Sequence, residues 1–217
     1  NWLRRAFSPT RPAQTGFRPV RVVRAKYDSA LTTDNNRRHW ANADGLSALS
    51  ANNREVRRVL RNRSRYEVAN NSYARGIVLT LANDIIGTGP RLQLLTEDTD
   101  ANRQIEQAFN RWAKAIGLAE KLRTLRMAQA QDGEAFAVLI SNPLLSTQIQ
   151  LDLRLIEADQ VATPDLQWSD PRATDGIVFD SAGNPIEYHV LRRHPGESAG
   201  VAREADRIPA ASVVHLF

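Results

Sequence analysis

The hydrophobic repeat of this 217-residue chain changes at Gly133, and that change limits the fold more than any other feature. Before Gly133, apolar residues recur at helical spacing, as Phe109, Trp112 and Ile116 do. After it they alternate with polar residues, as in residues 149–155, which is typical of a strand with one face in water. The sequence therefore predicts an α+β fold, with several helices first and a small antiparallel β unit second.

The first predicted helix begins after Asn53, a residue type that caps helix N-termini, and runs to about Ala69. Val56, Val59, Leu60 and Arg63 share one of its faces. Arginines cover the rest of the helix, at Arg54, Arg57, Arg58, Arg61 and Arg65. This much positive charge requires an acidic or nucleic-acid neighbour, or many counterions.

A second helix is predicted to begin at the N-cap Ser72 and to end at Gly87. It is apolar on most sides, so we expect it to be largely buried. Asp84 lies within it, and because an unpaired buried carboxylate is costly, we expect a salt bridge with Arg75 or Arg91.

The remaining predicted elements follow from period and turn signals. They are a short strand at 91–95, helices from about 100 to 116 and from 118 to about 131, strands at 134–141 and 149–155, a hairpin at 176–191 and a strand at 213–217. The regions are thus an arm (1–52), a helical region (53–133) and a β-rich region (134–217). Because the last strand has no turn or cap after it, we expect the sequence to be a piece of a longer polypeptide, truncated at its C-terminus.

The charge of the chain is asymmetric. Residues 1–75 carry a net charge of +11 and the remainder −6, and 26 of the 29 basic residues are arginine. Residues 1–52 are predicted to form an extended basic arm with scattered apolar anchors, namely Trp2, Leu3, Phe7, Val20, Val22, Val23 and Trp40. Such an arm is suited to gripping a neighbour or an anionic partner. A flexible tail, and arginine usage set by a GC-rich genome, are the alternatives.

The residues that usually carry catalysis are mostly missing. With no cysteine there is no disulfide, thiolate metal site or cysteine nucleophile, and no phosphate-binding loop, serine-nucleophile turn or zinc-protease motif occurs. Glu157 and Asp159 are expected on a solvated strand face, and His215 as a core histidine with its hydrogen bonds satisfied. Tyr66, Tyr73 and Trp112 fit a core better than base stacking. We expect no enzyme activity, cofactor or metal.

Two classes remain: a nucleic-acid-binding module and a protein that assembles with copies of itself. The longest apolar stretch, residues 77–86, is about half the ~20 residues of a membrane span, so no membrane contact is expected.

Several sequence stretches, taken in order, resemble the lambda-type phage portal protein family. The longest are RNRSRYEVANNSYARGIV (61–78) and NDIIGTGPRL (83–92). The others are WLRR (2–5), YDSA (27–30), DGEAF (132–136), LIEADQV (155–161), DGI (175–177), GNPIEYHV (183–190) and IPAASVVHLF (208–217). Asn70 and Pro90 depart from the family pattern, which usually has Arg and an apolar residue there. The resemblance covers nearly all of this chain and about the first half of a family member.

The resemblance implies a ring subunit, typically in a dodecamer, at one vertex of the capsid. The implied location is the virion, and the host cytoplasm while the particle assembles. Double-stranded DNA would be packaged and ejected through the ring. The large terminase subunit, a head-tail adaptor protein and the major capsid or scaffold protein are the implied partners. The helices would resemble wing and stem, and the β region would contain the clip.

We expect Arg57, Arg58, Arg61 and Arg65 to serve contacts between subunits or with the capsid more than with DNA. A stand-alone basic DNA-binding protein is the alternative function. The resemblance leaves open a phage, a prophage and a gene-transfer particle.

Overall fold

The computed structural model describes residues 32–164, 172–197 and 204–217, which fall into two units divided after Leu46. In the first unit, the Thr33 backbone N–H donates to Asn36 Oδ1 at 2.7 Å within a series of turns. The Trp40 ring lies edge-on to His39 and is 45% exposed. The other predicted anchors of the arm, and its WLRR and YDSA stretches, lie outside the described residues.

The second unit contains helices followed by strands, and the predicted α+β class is confirmed. Its described α-helices are α1 (Ala48–Ala51), α2 (Arg54–Asn70), α3 (Ser72–Ile86), α4 (Thr99–Ala115) and α5 (Leu118–Asp132). Its described strands are β1 (Ala135–Ser141), β2 (Leu151–Ile156), β3 (Ala173–Thr174), β4 (Ile177–Phe179), β5 (Pro185–Leu191), β6 (Ala205–Pro209) and β7 (Val213–Leu216).

Helix boundaries follow local capping chemistry. Asn53 caps α2 as predicted, since its side chain accepts from the N–H groups of Glu55 and Val56. The prediction of Ser72 as the cap of α3 is wrong, because Asn71 accepts the N–H groups at the start of that helix. Gly133 ends α5 with a φ of 85°, a conformation that glycine adopts without strain.

The β1 strand has both faces covered, which explains its continuous apolar sequence. It lies between β2 and β7 in a three-stranded antiparallel sheet, while β3, β4, β5 and β6 form the second sheet. Phe136 and Val138 pack with Tyr188 and Val190 of the second sheet. On the other face, the small residues Ala135 and Ala137 lie in a cluster that includes Leu125 of α5. Small side chains let the helix approach the sheet closely.

Two predicted strand features are wrong. Residues 91–95 form no strand; instead the Leu94 N–H donates to a carboxylate oxygen of Glu106 on α4 at 2.8 Å, so a side chain replaces a partner strand. Glu157 and Asp159 do not share a strand face, because Glu157 caps a 3-10 turn that contains Asp159.

The polar face predicted for β2 also contains a buried group. Asp152 is 8% exposed, contacts Lys121 of α5 and accepts a hydrogen bond from Asn142 at 2.9 Å. Burial by itself would raise the pKa of Asp152, but hydrogen bonds from Lys121, Asn142 and the Leu153 N–H lower it. The face of β2 that the sequence predicts to be solvent-exposed is therefore covered at Asp152 by Lys121 of α5.

The prediction that α3 is largely buried is wrong. Only Val78 and Ala82 are fully buried, while Tyr73 is 85% exposed and Ile77 is 68% exposed. Asp84 is exposed and forms no ion pair among the residues that the structure describes, so the predicted salt bridge is also wrong. Helix α3 packs through one stripe, mainly on α5, and leaves the opposite apolar face uncovered.

Candidate functional site

The four arginines selected from the sequence lie on α2 but on two different sides of it. Arg57, Arg61 and Arg65 recur at i, i+4 and i+8 and face the rest of the unit, with side chains no more than 25% exposed. Arg58 faces solvent and pairs with Glu55 of the same helix at 2.7 Å. Most apolar residues of α2 therefore face outward, while Arg57, Arg61 and Arg65 face the interior.

Each inward arginine meets one or two carboxylates, which come from the last residue of α5 and from the segments after it. Arg57 contacts Asp175, and Arg61 contacts both Glu134 and Asp159, the latter at 3.0 Å. These contacts join α2 to the β-rich region and, with those of Arg65, form what we call the arginine clamp: Arg57, Arg61 and Arg65 with Asp132, Glu134, Asp159 and Asp175.

Arg65 provides the best-defined geometry in the clamp. Its Nε and Nη2 atoms donate to the two carboxylate oxygens of Asp132, at 2.8 and 2.7 Å. Its Nη1 donates to Asp159 at 2.7 Å, so Asp159 is shared by Arg61 and Arg65. A planar guanidinium with fixed donors can bind two carboxylates in this way, whereas lysine cannot.

The electrostatic effect of the clamp is to lower the pKa values of Asp159 and Glu134. Burial would raise the pKa of Asp159, but the hydrogen bonds and charges of Arg65 and Arg61 lower it overall. Burial would likewise raise the pKa of Glu134, but the His215 hydrogen bond and the charges of Arg61, His215 and Arg57 lower it. The pKa of Arg65 is raised, above all by its hydrogen bond to Asp132.

The clamp continues into the core through Glu134 and His215. His215 Nε2 lies 3.2 Å from Glu134 and Nδ1 lies 3.3 Å from the Tyr188 hydroxyl. The His215 ring stacks on Phe136 with centroids 4.2 Å apart. The prediction of a satisfied core histidine is thus confirmed, and His215 connects the charged clamp to the apolar core between the sheets. Tyr66 and Tyr73, predicted as core residues, are exposed instead.

A cleft of about 550 Å³ lies beside the clamp, between α2 and the β-rich region. Its apolar lining includes Phe136, Ile177 and Phe179, and its charged lining consists of five arginines and four carboxylates, among them the clamp residues Asp159 and Asp175. Because carboxylates neutralise the three inward arginines, the cleft does not concentrate positive charge. The arrangement stabilises a joint between helix and sheet.

The acidic half of the clamp was not identified from the sequence as a site. Its signal lay in the resemblance itself, since Asp132 and Glu134 belong to DGEAF, Asp159 to LIEADQV and Asp175 to DGI. Arg61 and Arg65 belong to the longest matching stretch. Motif pieces up to about a hundred residues apart in sequence therefore meet at one point in the fold.

The lowered pKa values of Glu134 and Asp159 predict that acid destabilises the unit. Because both folded-state pKa values lie below the ordinary 4.5 and 3.8, the stabilisation is present above those ordinary values and is lost as the pH falls through the folded-state values. We expect the urea midpoint to be level from pH 7 to about 5.5 and to fall below about pH 4. Glu134→Gln should make the fall of the urea midpoint below about pH 4 shallower. The same dependence of the midpoint on acid pH in this variant would contradict a contribution of ionised Glu134 to stability.

Among the described residues, no cluster of three or more His, Asp or Glu side chains could hold a metal ion, and no described helix is long and apolar enough to cross a membrane.

The model of a family of phage structural proteins matches residues 34–217. That family is described as phage portal protein, lambda family, and the chain belongs to it. One similar protein, named "Probable portal protein", comes from Halomonas phage phiHAP-1 and is 28% identical over 170 residues. The alignment covers 70% of this chain and 32% of that protein, so the chain spans about a third of that relative's length. The resemblance predicted from the sequence is confirmed, and the family places the protein at the capsid vertex of the virion.

Proposed function

We propose that this chain is part of a portal subunit, identical copies of which close into a ring, a dodecamer by family expectation, at one capsid vertex. Double-stranded DNA enters through the ring during packaging and leaves through it during ejection. The large terminase subunit docks first and a head-tail adaptor protein docks later, with the major capsid or scaffold protein around the ring. The match of the portal family to residues 34–217 is the observation that carries this proposal.

The arginine clamp supports a passive mechanical role. A ring subunit makes different contacts on its two sides, and the ring closes only if every copy holds the same angle between those contacts. The clamp fixes α2 against the end of α5, through Asp132, and against the β-rich region, through its other three carboxylates. It therefore stabilises the wedge shape that closure needs. In this proposal the helices contribute to wing and stem, and the segment after Leu155 contains the clip.

The clamp also divides the roles of the arginines. Arg57, Arg61 and Arg65 act within the subunit, and we propose Arg58, which faces solvent, for a contact with a neighbouring subunit or the capsid. DNA would then slide past a surface that grips it weakly, since contacts to phosphate are what make DNA binding strong and salt-dependent.

Electron microscopy of the full protein, expressed as its gene encodes it, tests this proposal. We expect rings with a central channel, and a purified monomer that binds duplex DNA only weakly at physiological salt. A single globule without rings, together with tight and salt-sensitive duplex binding by the monomer, would instead support the stand-alone DNA-binding protein.

A further inference from the structure

Helix α2 directs arginines toward the interior of the unit and most of its apolar side chains toward solvent. Its apolar residues lie opposite the clamp arginines: Val59 is 41% exposed, Leu60 is 55% exposed and Tyr66 is 66% exposed. Val56 lies on the same side and is also exposed. Apolar residues at helical spacing normally mark the face that a helix buries. This outward surface, which we call the α2 stripe, consists of Val56, Val59, Leu60, Arg63 and Tyr66.

Helix α3 has a second uncovered surface. Tyr73, Ile77, Thr80 and Asp84 recur at i, i+4, i+7 and i+11 and are all exposed. Gly76 lies beside Ile77 in the same helix, and a side chain added there would meet nothing within 4 Å. We call this surface, including Gly76, the α3 stripe. Glycine is unfavourable inside a helix, and no contact within the described residues requires one at position 76. A small residue on an exposed helix face does permit another helix to approach closely.

The two stripes carry opposite charges. Arg63 lies in the α2 stripe and Asp84 lies at the far end of the α3 stripe. Neither forms an ion pair within the part of the chain that the structure describes, although all three clamp arginines nearby do. Val59 and Leu60 are exposed apolar side chains on the α2 stripe, and Tyr73 and Ile77 are exposed apolar side chains on the α3 stripe that could cover them. The α2 stripe therefore matches the α3 stripe in both hydrophobicity and charge.

We propose that the α2 stripe of one copy packs against the α3 stripe of the next copy in the ring. This inference rests on the proposed ring and names the contact between its subunits. Because the two stripes belong to different helices, each copy offers α2 to one neighbour and α3 to the other, which is the head-to-tail arrangement that a ring requires. Gly76 lets the neighbour's α2 approach, and Arg63 pairs with Asp84.

These 217 residues contain no cysteine, so cysteines placed in the two stripes are the only thiols in this part of the protein, and the unaltered full protein is the control for any thiol elsewhere. We expect Val59→Cys with Ile77→Cys, introduced together in the full protein and oxidised, to give a ladder of covalent oligomers that ends at the closed ring. Either substitution alone should give no ladder. A matched pair on the exposed polar face of α4, Gln104→Cys with Gln107→Cys, should give none either.

Charge reversal provides a second measurement that does not depend on disulfide geometry. We expect Arg63→Asp or Asp84→Arg alone to lower the yield of rings about tenfold, because each places like charges together, and the double reversal to restore it. Circular dichroism of each variant separates loss of assembly from loss of folding.

Each outcome has a different meaning. If the unaltered protein forms rings, but the double-cysteine variant gives no ladder and the double charge reversal restores no rings, the proposed contact is overturned and the portal function stands. Failure of the unaltered protein to form rings would overturn the function itself. A covalent dimer from Val59→Cys alone would mean that like stripes pair, and would also overturn the proposed contact.

Discussion

Replacing Asp159 by Asn lowers the free energy of unfolding of the chain by about 3 kcal/mol in our expectation. Asp159 is only 16% exposed at its side chain and accepts hydrogen bonds from both Arg61 and Arg65. Asparagine keeps the shape but removes the charge, which leaves two partly buried guanidinium groups with less compensation. The loss stays at the lower end for a broken buried pair, because Arg61 keeps Glu134 and Arg65 keeps Asp132. Urea unfolding monitored by tryptophan fluorescence measures the effect.

Arg58→Ala is the matched control for this substitution. Arg58 lies on the same helix and also pairs with a carboxylate, but both side chains are more than 60% exposed. Exposed pairs of this kind contribute about 0.5 kcal/mol or less, so the urea midpoint should hardly move. If Asp159→Asn proved no more harmful than Arg58→Ala, the clamp would not be what fixes α2 against the β-rich region.

Most element boundaries could be predicted because their signals are local. Asn53 before α2, Gly87 after α3 and Gly133 after α5 act on the backbone groups next to them, and the fold uses all three. The hairpin of β4 and β5 was predictable for the same reason, since turn residues separate two short apolar runs.

The inward face of α2 could not be predicted from its own sequence. Helical periodicity identifies an apolar face and a basic face, and burial of the apolar face is the ordinary outcome. The arginine face turns inward here because Asp132, Glu134, Asp159 and Asp175 lie opposite it, and the first of these is 67 residues from Arg65. Only the tertiary fold brings these charges together, so no local pattern could reveal the site.

The exposed side of α3 follows from a related cause. The sequence shows an apolar helix with one acid, and a single copy of the chain buries only the stripe that contains Val78 and Ala82. Hydrophobicity shows that a surface requires cover, but not whether the cover comes from the same chain or from another. Asp84 was predicted to be buried because it lies in an apolar helix, but within one copy of the chain its side of α3 is exposed. This is the side that we propose to be covered by a second copy.

Replacing Gly176 by Ala has the second large effect that we expect, a loss of about 3–4 kcal/mol in the free energy of unfolding. Gly176 has a φ of 86°, which disfavours any side chain, and an added Cβ would lie 2.6 Å from the backbone nitrogen of Ala162. Its N–H donates to Thr163 Oγ1 at 3.0 Å and its carbonyl accepts from the His189 N–H at 2.7 Å, so the loop cannot shift without losing hydrogen bonds.

Gly183→Ala separates the two causes of that loss. Gly183 also has a φ of 86°, but a Cβ there would meet nothing within 4 Å. Its substitution should therefore cost about 1–2 kcal/mol, from backbone strain alone, and the difference between the two variants measures the close approach at Ala162. Because Gly176 directly follows Asp175, displacement of this loop also moves the carboxylate that Arg57 contacts. Equal losses in the two variants would mean that the loop yields freely and that Asp175 is not held in place for the clamp.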